Sequence, residues 1–287
     1  MLYPWINLST PAASIMNCYI FAQGFAFSKA FWCNILPYFK RDDPKALFLF
    51  LDDLVSKEYP PTQTMQPTLS SSHCPVNCAV QFADQHTTHY SALPEIPDSA
   101  HYIGVGHSLG FLKLLRSPYP FTKVIGINAF TSFLGYSAPI YSRRIKEHKA
   151  FTRSFTARPL KTLERFYKNC GLDNFELNDE DPNLKDESMT SLSNMTIDCQ
   201  PGASITSLPV IPNGEDLDLM TLNVEPTYPA CIINAKNDTI VPYDLTMDNF
   251  SKKPDFLQSL HILPRGQHLL GYSCAYEVYA HVQKFLN

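Results

Sequence analysis

Residues 101–116 read HYIGVGHSLGFLKLLR. The opening six, His101 to Gly106, form the short apolar run expected of a strand covered on both faces. From Leu109 to Arg116 the apolar residues recur at helical spacing, and Pro118 stops the helix. Between the two lies Gly106-His107-Ser108-Leu109-Gly110, a G-x-S-x-G pattern at a strand-to-helix turn. A serine at so sharp a turn takes a strained backbone conformation, so its neighbours two places away must be small. The chain has only 11 glycines in 287 residues. Three of them, Gly104, Gly106 and Gly110, gather around this one serine.

The same rhythm extends on both sides. Met16 to Ala22, Ala46 to Leu51, Lys123 to Asn128, Ala230 to Asn234 and Leu260 to Leu263 read as strands. Ser28 to Phe39 reads as one helix with Phe31, Trp32, Ile35, Leu36 and Phe39 on a single face. A closing helix carries Tyr272, Ala275, Val278, Tyr279, Val282 and Phe285 at three- and four-residue spacing. Strands alternating with helices predict an α/β fold with a mostly parallel central sheet flanked by helices. Residues 134–226 separate two strands by far more than a crossover needs, so they are expected to be an inserted subdomain, with residues 1–133 and 227–287 forming the core. Helices are expected in the insertion around 143–157 and 160–170. Another is expected near 76–83, in a Pro-, Ser-, Thr- and His-rich stretch.

Charge sorts within the insertion. Residues 143–168 hold nine basic and two acidic residues, whereas 169–219 hold eleven acids and one lysine. The whole chain nets only −4, which argues against general nucleic-acid binding. No apolar run is long enough for a membrane span, and the first residues lack the pattern of a secretory signal. Eight scattered cysteines fit free thiols in a reducing cytoplasm better than a disulfide framework.

A serine hydroxyl is a weak nucleophile and needs a base. In a strand–turn–helix site of this kind an acid and then a histidine follow downstream, each after a late strand. Asp238 and His268 occupy those places, and the chain order Ser108, Asp238, His268 is the required one. His261 and His281 are competing bases, and Asp216 and Asp218 are fallback acids. The backbone N–H groups of Leu109 and Phe25 are the expected donors to a developing oxyanion, with Gly24 permitting the tight turn. His107 is expected to pack or hydrogen-bond rather than to react. Phe25, Trp32, Phe130, Phe133, Tyr136 and Phe155 are candidates to line an acyl pocket. His73, Cys74, Cys78, His86 and His89 match no closed metal site, so neither metal nor cofactor is expected.

The segments Gln23-Gly24-Phe25, Gly106 to Gly110, Asn237 to Pro242 and Gly266-Gln267-His268 together resemble the α/β-hydrolase superfamily. Within it the chain is most similar to pimeloyl-acyl-carrier-protein methyl ester esterases. That similarity is carried by Gly24-Phe25 followed by Phe31-Trp32, by the Ser108 motif, and by Phe151 to Phe155 leading to Thr162 to Phe166. The resemblance implies an α/β-hydrolase fold whose insertion is a helical lid. It also implies a serine carboxylesterase that hydrolyses the methyl ester of a pimeloyl chain on acyl carrier protein, in the synthesis of biotin's precursor. In that family basic lid residues hold the acidic carrier, a role that would fall here to Arg143, Arg144, Lys149, Arg153 and Arg158. Gln23 stands where many relatives have histidine. A small-ester esterase, lipase or acyl thioesterase, or a non-catalytic binding protein of the same fold, remain the alternatives.

Overall fold

Asn17–Ala22 (β1, NCYIFA) is apolar and buried from Cys18 onward because both its faces are covered. Tyr19 and Phe21 pack into one side of the sheet, Cys18 and Ile20 into the other. A computed structural model of the chain describes residues 16–52, 54, 100–172, 209, 211–212, 217–218, 226–252 and 254–287. The helix expected near 76–83, the group from His73 to His89, Asp216 and most of the acidic tract lie outside the described residues.

Among the described residues five further strands join β1: Leu47–Phe50 (β2), His101–His107 (β3), Phe121–Ile127 (β4), Ala230–Ala235 (β5) and Leu257–Leu263 (β6). Their spatial order is β2-β1-β3-β4-β5-β6, and every neighbouring pair is parallel. All carboxyl ends therefore share one edge. The chain moves from β1 outward to β2, then returns past β1 to β3 and continues the other way. Such a reversal opens a crevice at the carboxyl ends of β1 and β3.

Helices Leu36–Asp42 (α1) and Ala275–Leu286 (α7) cover the face that holds Tyr19 and Phe21. Leu109–Arg116 (α2) and Tyr243–Phe250 (α5) cover the other. Phe39 and Phe21 meet edge-on, with ring centroids 5.4 Å apart. Burying each such ring stabilises the fold by roughly 1.5–3 kcal/mol.

The single helix expected over 28–39 is two pieces. A 3₁₀ turn, Lys29–Trp32, ends before α1 begins at Leu36 with Pro37 in its first turn. Proline fits there because it has no amide hydrogen to lose, whereas inside a continuous helix its ring would clash with the carbonyl four residues back. The break turns the Asn34 side chain onto the Tyr272 carbonyl at 3.1 Å. Trp32 is thereby a core residue rather than an acyl-pocket one. It is fully buried and edge-on to both Phe21 and Phe31. Phe130 is also buried, in the layer beside α2 and α5. The closing helix also divides, into Leu270–Ser273 (α6) and α7, at Cys274.

Among the described residues between β4 and β5 are two helices, Ala138–Ala157 (α3) and Pro159–Cys170 (α4), which meet at Arg158. The α3 helix buries only Arg144 and Phe155. The α4 helix buries Leu163, Phe166, Tyr167 and Cys170, a three- and four-residue repeat that docks it on the core. Near the far end of the insertion, Leu217 is buried, and Asp218 bridges to Ser132 just beyond β4. No helix among the described residues is long and apolar enough to cross a membrane.

The start of α2 is pressed against β1. A Cβ on Gly110 would lie 1.9 Å from the Ala22 carbonyl oxygen, and one on Gly106 would lie 2.5 Å from the Phe111 Cα. Both obstacles are backbone and cannot step aside as a flexible side chain does. Gly110→Ala is expected to lower the unfolding free energy by about 1–3 kcal/mol or more, read from urea denaturation.

Three histidines give stability a pH dependence. Burial lowers the proton affinity of His107 strongly, with the His268 imidazole adding to it. Burial also lowers that of His261 and His281, whose rings meet at 4.2 Å; each is helped by the Lys284 charge, and His261 by its neighbour. Below about pH 6.5 the unfolded chain protonates these imidazoles while the folded chain resists, so stability rises with pH across that window and falls on acidification. The urea midpoint is expected to drop between about pH 7 and about pH 5, above the range where carboxylates titrate. His281→Phe should shrink the drop.

Candidate active site

Ser108 follows β3 and precedes α2 with φ 52° and ψ −123°. This left-handed setting costs a non-glycine residue on the order of 1–3 kcal/mol. It is held by the Ser108 N–H, which donates to the Ile127 carbonyl at 3.0 Å, and by the glycine contacts beside it. Leu109 is the first residue of α2, so its N–H has no acceptor within the helix. His107 has the packing role expected. Its ring stacks on Phe31 at 4.1 Å, and its Nε2 lies 2.8 Å from the His268 carbonyl. A carbonyl only accepts, so Nε2 carries the hydrogen. The lowered proton affinity keeps the ring neutral, with Nδ1 as its bare nitrogen.

Asp238 follows β5, and His268 lies in the loop after β6. The His268 Nδ1 sits 2.8 Å from Asp238 Oδ2. A carboxylate also only accepts, so Nδ1 holds the hydrogen and Nε2 is the basic nitrogen of the neutral ring. The other carboxylate oxygen, Oδ1, accepts from the N–H groups of Ile240 at 2.7 Å and Val241 at 3.0 Å. Ser108, Asp238 and His268 are 5%, 3% and 1% exposed, a depth at which polar groups must be partnered. The competing histidines pack against each other on β6 and α7, while His268 is the one that meets Asp238.

Asn128 escaped the reading of the sequence. It follows β4 with φ 48°, and its amide donates to Asp238 Oδ2 at 2.5 Å and to the Gln267 carbonyl at 3.2 Å. Asparagine tolerates left-handed backbone. A polar residue closing the apolar run Lys123 to Ile127 at the carboxyl edge was the available signal.

The loop after β1 passes directly over the serine turn. A Cβ on Gly24 would lie 2.9 Å from both His107 Nδ1 and Ser108 Cβ. Gln23 is buried and donates to the Asp52 carboxylate. The Phe25 ring meets Phe151 of α3 and Phe166 of α4 edge-on, at 5.9 and 5.4 Å. Ala26 has φ 61°, and its carbonyl accepts the Tyr167 hydroxyl at 2.6 Å. Phe155 stacks on Phe151 in the same cover. Phe133 is half-buried, and the exposed Tyr136 gives its hydroxyl to Thr131.

The cationic candidates divide. Lys149, Arg153 and Arg158 are exposed. Arg143 is exposed too and pairs with Asp244 at 2.7 Å. Arg144 departs from the expectation of a carrier contact, because its guanidinium is buried. It donates to the carbonyls of Phe133 and Ile240 at 3.2 and 2.9 Å and to Glu147 at 2.8 Å, and lies 4.0 Å over the Phe133 ring. Among the described residues no group of three or more histidine, cysteine or acidic side chains is placed to hold a metal ion.

No protein-family model and no curated protein sequence matches the chain. Solved structures do. An epoxide hydrolase from Bacillus megaterium, in complex with its product, is 15% identical, with 94% of this chain and 93% of that one covered and a TM-score of 0.52. A pyrethroid hydrolase from Sphingobium faniae JZ-2 is 12% identical, with 94% and 97% covered and a TM-score of 0.50. With the six-stranded parallel sheet and its flanking helices, these likenesses identify the fold as that of the α/β-hydrolases.

Proposed function

We propose that this chain is a serine hydrolase of carboxylic esters. The observation that carries the reading is the buried contact of His268 Nδ1 with Asp238 Oδ2, on the same sheet edge as a serine in the strained strand-to-helix setting. Ser108 Oγ attacks the acyl carbon, and His268 Nε2 takes its proton. The tetrahedral oxyanion is met by the N–H groups of Leu109 and Phe25. His268 then gives the proton to the departing alcohol oxygen, and water repeats the sequence to free the acid and restore the serine. Asp238 holds the imidazole in the required tautomer and offsets its charge when it is protonated. Burial supports this arrangement, since fixed donors act more strongly on developing charge where water is excluded.

The finer reading is a methyl ester on an acyl chain carried by acyl carrier protein, pimeloyl being the chain that the sequence resemblance implies. It is favoured by one surface. Lys146, Lys149 and Arg153 are exposed on α3 at three- and four-residue spacing, and Arg158 is exposed where α3 meets α4. A row of like charge steers an anionic partner.

Ser108→Ala is expected to lower turnover of a short p-nitrophenyl ester by about 10⁶-fold. Turnover equal to the parent protein's would overturn serine catalysis. The carrier reading is tested separately with Lys149, Arg153 and Arg158 changed together to Glu. The expected outcome is a KM at least about tenfold higher for a carrier-linked ester and unchanged for a free one, with salt weakening the parent protein in the same selective way. An equal response of both substrates would remove the docking role and leave the esterase.

A further inference from the structure

Arg144 is the one charged residue that α3 buries, and two of its three hydrogen-bond partners lie outside the insertion. Its Nη2 donates to the Ile240 carbonyl at 2.9 Å. That carbonyl and the Val241 N–H belong to the same planar peptide group, and the Val241 N–H donates to Asp238 Oδ1 at 3.0 Å. Guanidinium, peptide and carboxylate thus form one line of two hydrogen bonds across a single peptide unit. In such a chain each bond polarises the next, and low surrounding polarity strengthens the effect. The remaining donors are also spoken for. Nε goes to the Phe133 carbonyl beyond β4 and Nη1 to Glu147 on the helix itself. The α4 helix ties down the neighbouring residue, since the Thr239 hydroxyl donates to the Asn169 carbonyl at 2.7 Å.

We infer that Arg144 is a positioning residue that couples the seating of the helical insertion to the acid Asp238, through the Ile240–Val241 peptide. This rests on the serine hydrolase reading. A charge on the insertion orients and polarises the peptide that holds Asp238 Oδ1, while the opposite oxygen faces His268. The insertion then sets the rate of the chemical step as well as covering the site. Its contribution falls on kcat for any ester, including one with no carrier attached.

The test uses the full chain and a short p-nitrophenyl ester. Arg144→Met and Arg144→Gln both remove the charge. Each is expected to lower kcat about tenfold, the worth of one charge-assisted hydrogen bond, with KM within about twofold. Arg144→Lys keeps the charge and should recover part of kcat. In an Asp238→Ala background, where the relay has no carboxylate to act on, Arg144→Met should cause no further loss. Parent-level kcat in a folded Met or Gln variant overturns the inference, as does an Arg144→Met effect of the same size with and without Asp238. If neither variant folds, Arg144→Lys carries the test. Its single ammonium cannot span the Phe133 and Ile240 carbonyls together, so an unchanged kcat overturns the inference. Loss of turnover in Ser108→Ala alongside intact turnover in Arg144→Met rejects this inference alone. Retained turnover in Ser108→Ala rejects the reading beneath it.

Discussion

The close approach of α2 to β1 governs the carboxyl edge of the sheet. At Gly110 the helix backbone lies where any side chain would strike the Ala22 carbonyl. Ala22 is the last residue of β1, and the chain turns from it into Gln23, Gly24 and Phe25. One contact therefore fixes the distance between the serine turn and the loop that passes over it. The strain at Ser108 persists because its surroundings are over-determined, by the Ile127 carbonyl on one side and the packed glycines on the other.

Charge at this edge is handled by the same closeness. Asp238 is buried, and an unpartnered carboxylate there would be costly. Two backbone N–H groups, the Asn128 amide and His268 surround it instead. Arg144 is buried nearby with a partner for each group of donors. Burial pulls its proton affinity down while Glu147 pulls it back up, and a guanidinium remains charged at this depth. The exposed pair of Arg143 with Asp244 belongs to a different regime. Surface pairs of this kind contribute about 0–1 kcal/mol, so α3 is seated through its one inward-facing arginine and its aromatic cover.

What could be read from the sequence was whatever depends on short range. The inner strands hold short apolar runs, and α2 matches its expected bounds because Pro118 ends it. Glycines around a serine in a glycine-poor chain mark a turn that needs them. Asp238 and His268 were expected from position, after late strands, and the fold brings them into contact. The α5 helix was missed, though Leu245, Asn249 and Phe250 face inward at helical spacing. Long-range partnerships were also illegible. Asn128 lies 110 residues from Asp238, and Arg144 lies 96 from Ile240. In sequence Arg144 is one of nine cations in a basic stretch. Only the direction it takes from the helix separates it from Arg143, its immediate neighbour. The split at Pro37 is a case where apolar periodicity ran unbroken across a residue that the backbone could not carry inside one helix.

The strand order has a bearing on how the chain is made. Strands β1 to β4 lie side by side and are complete by Ile127, whereas β5 begins at Ala230. During synthesis the ribosome therefore releases the Ser108 turn 130 residues before Asp238 and 160 residues before His268. A serine without its base is a poor nucleophile. On the serine hydrolase reading proposed above, the nascent protein stays inactive until its last quarter has docked against β4, and reactivity arrives with the completion of folding itself.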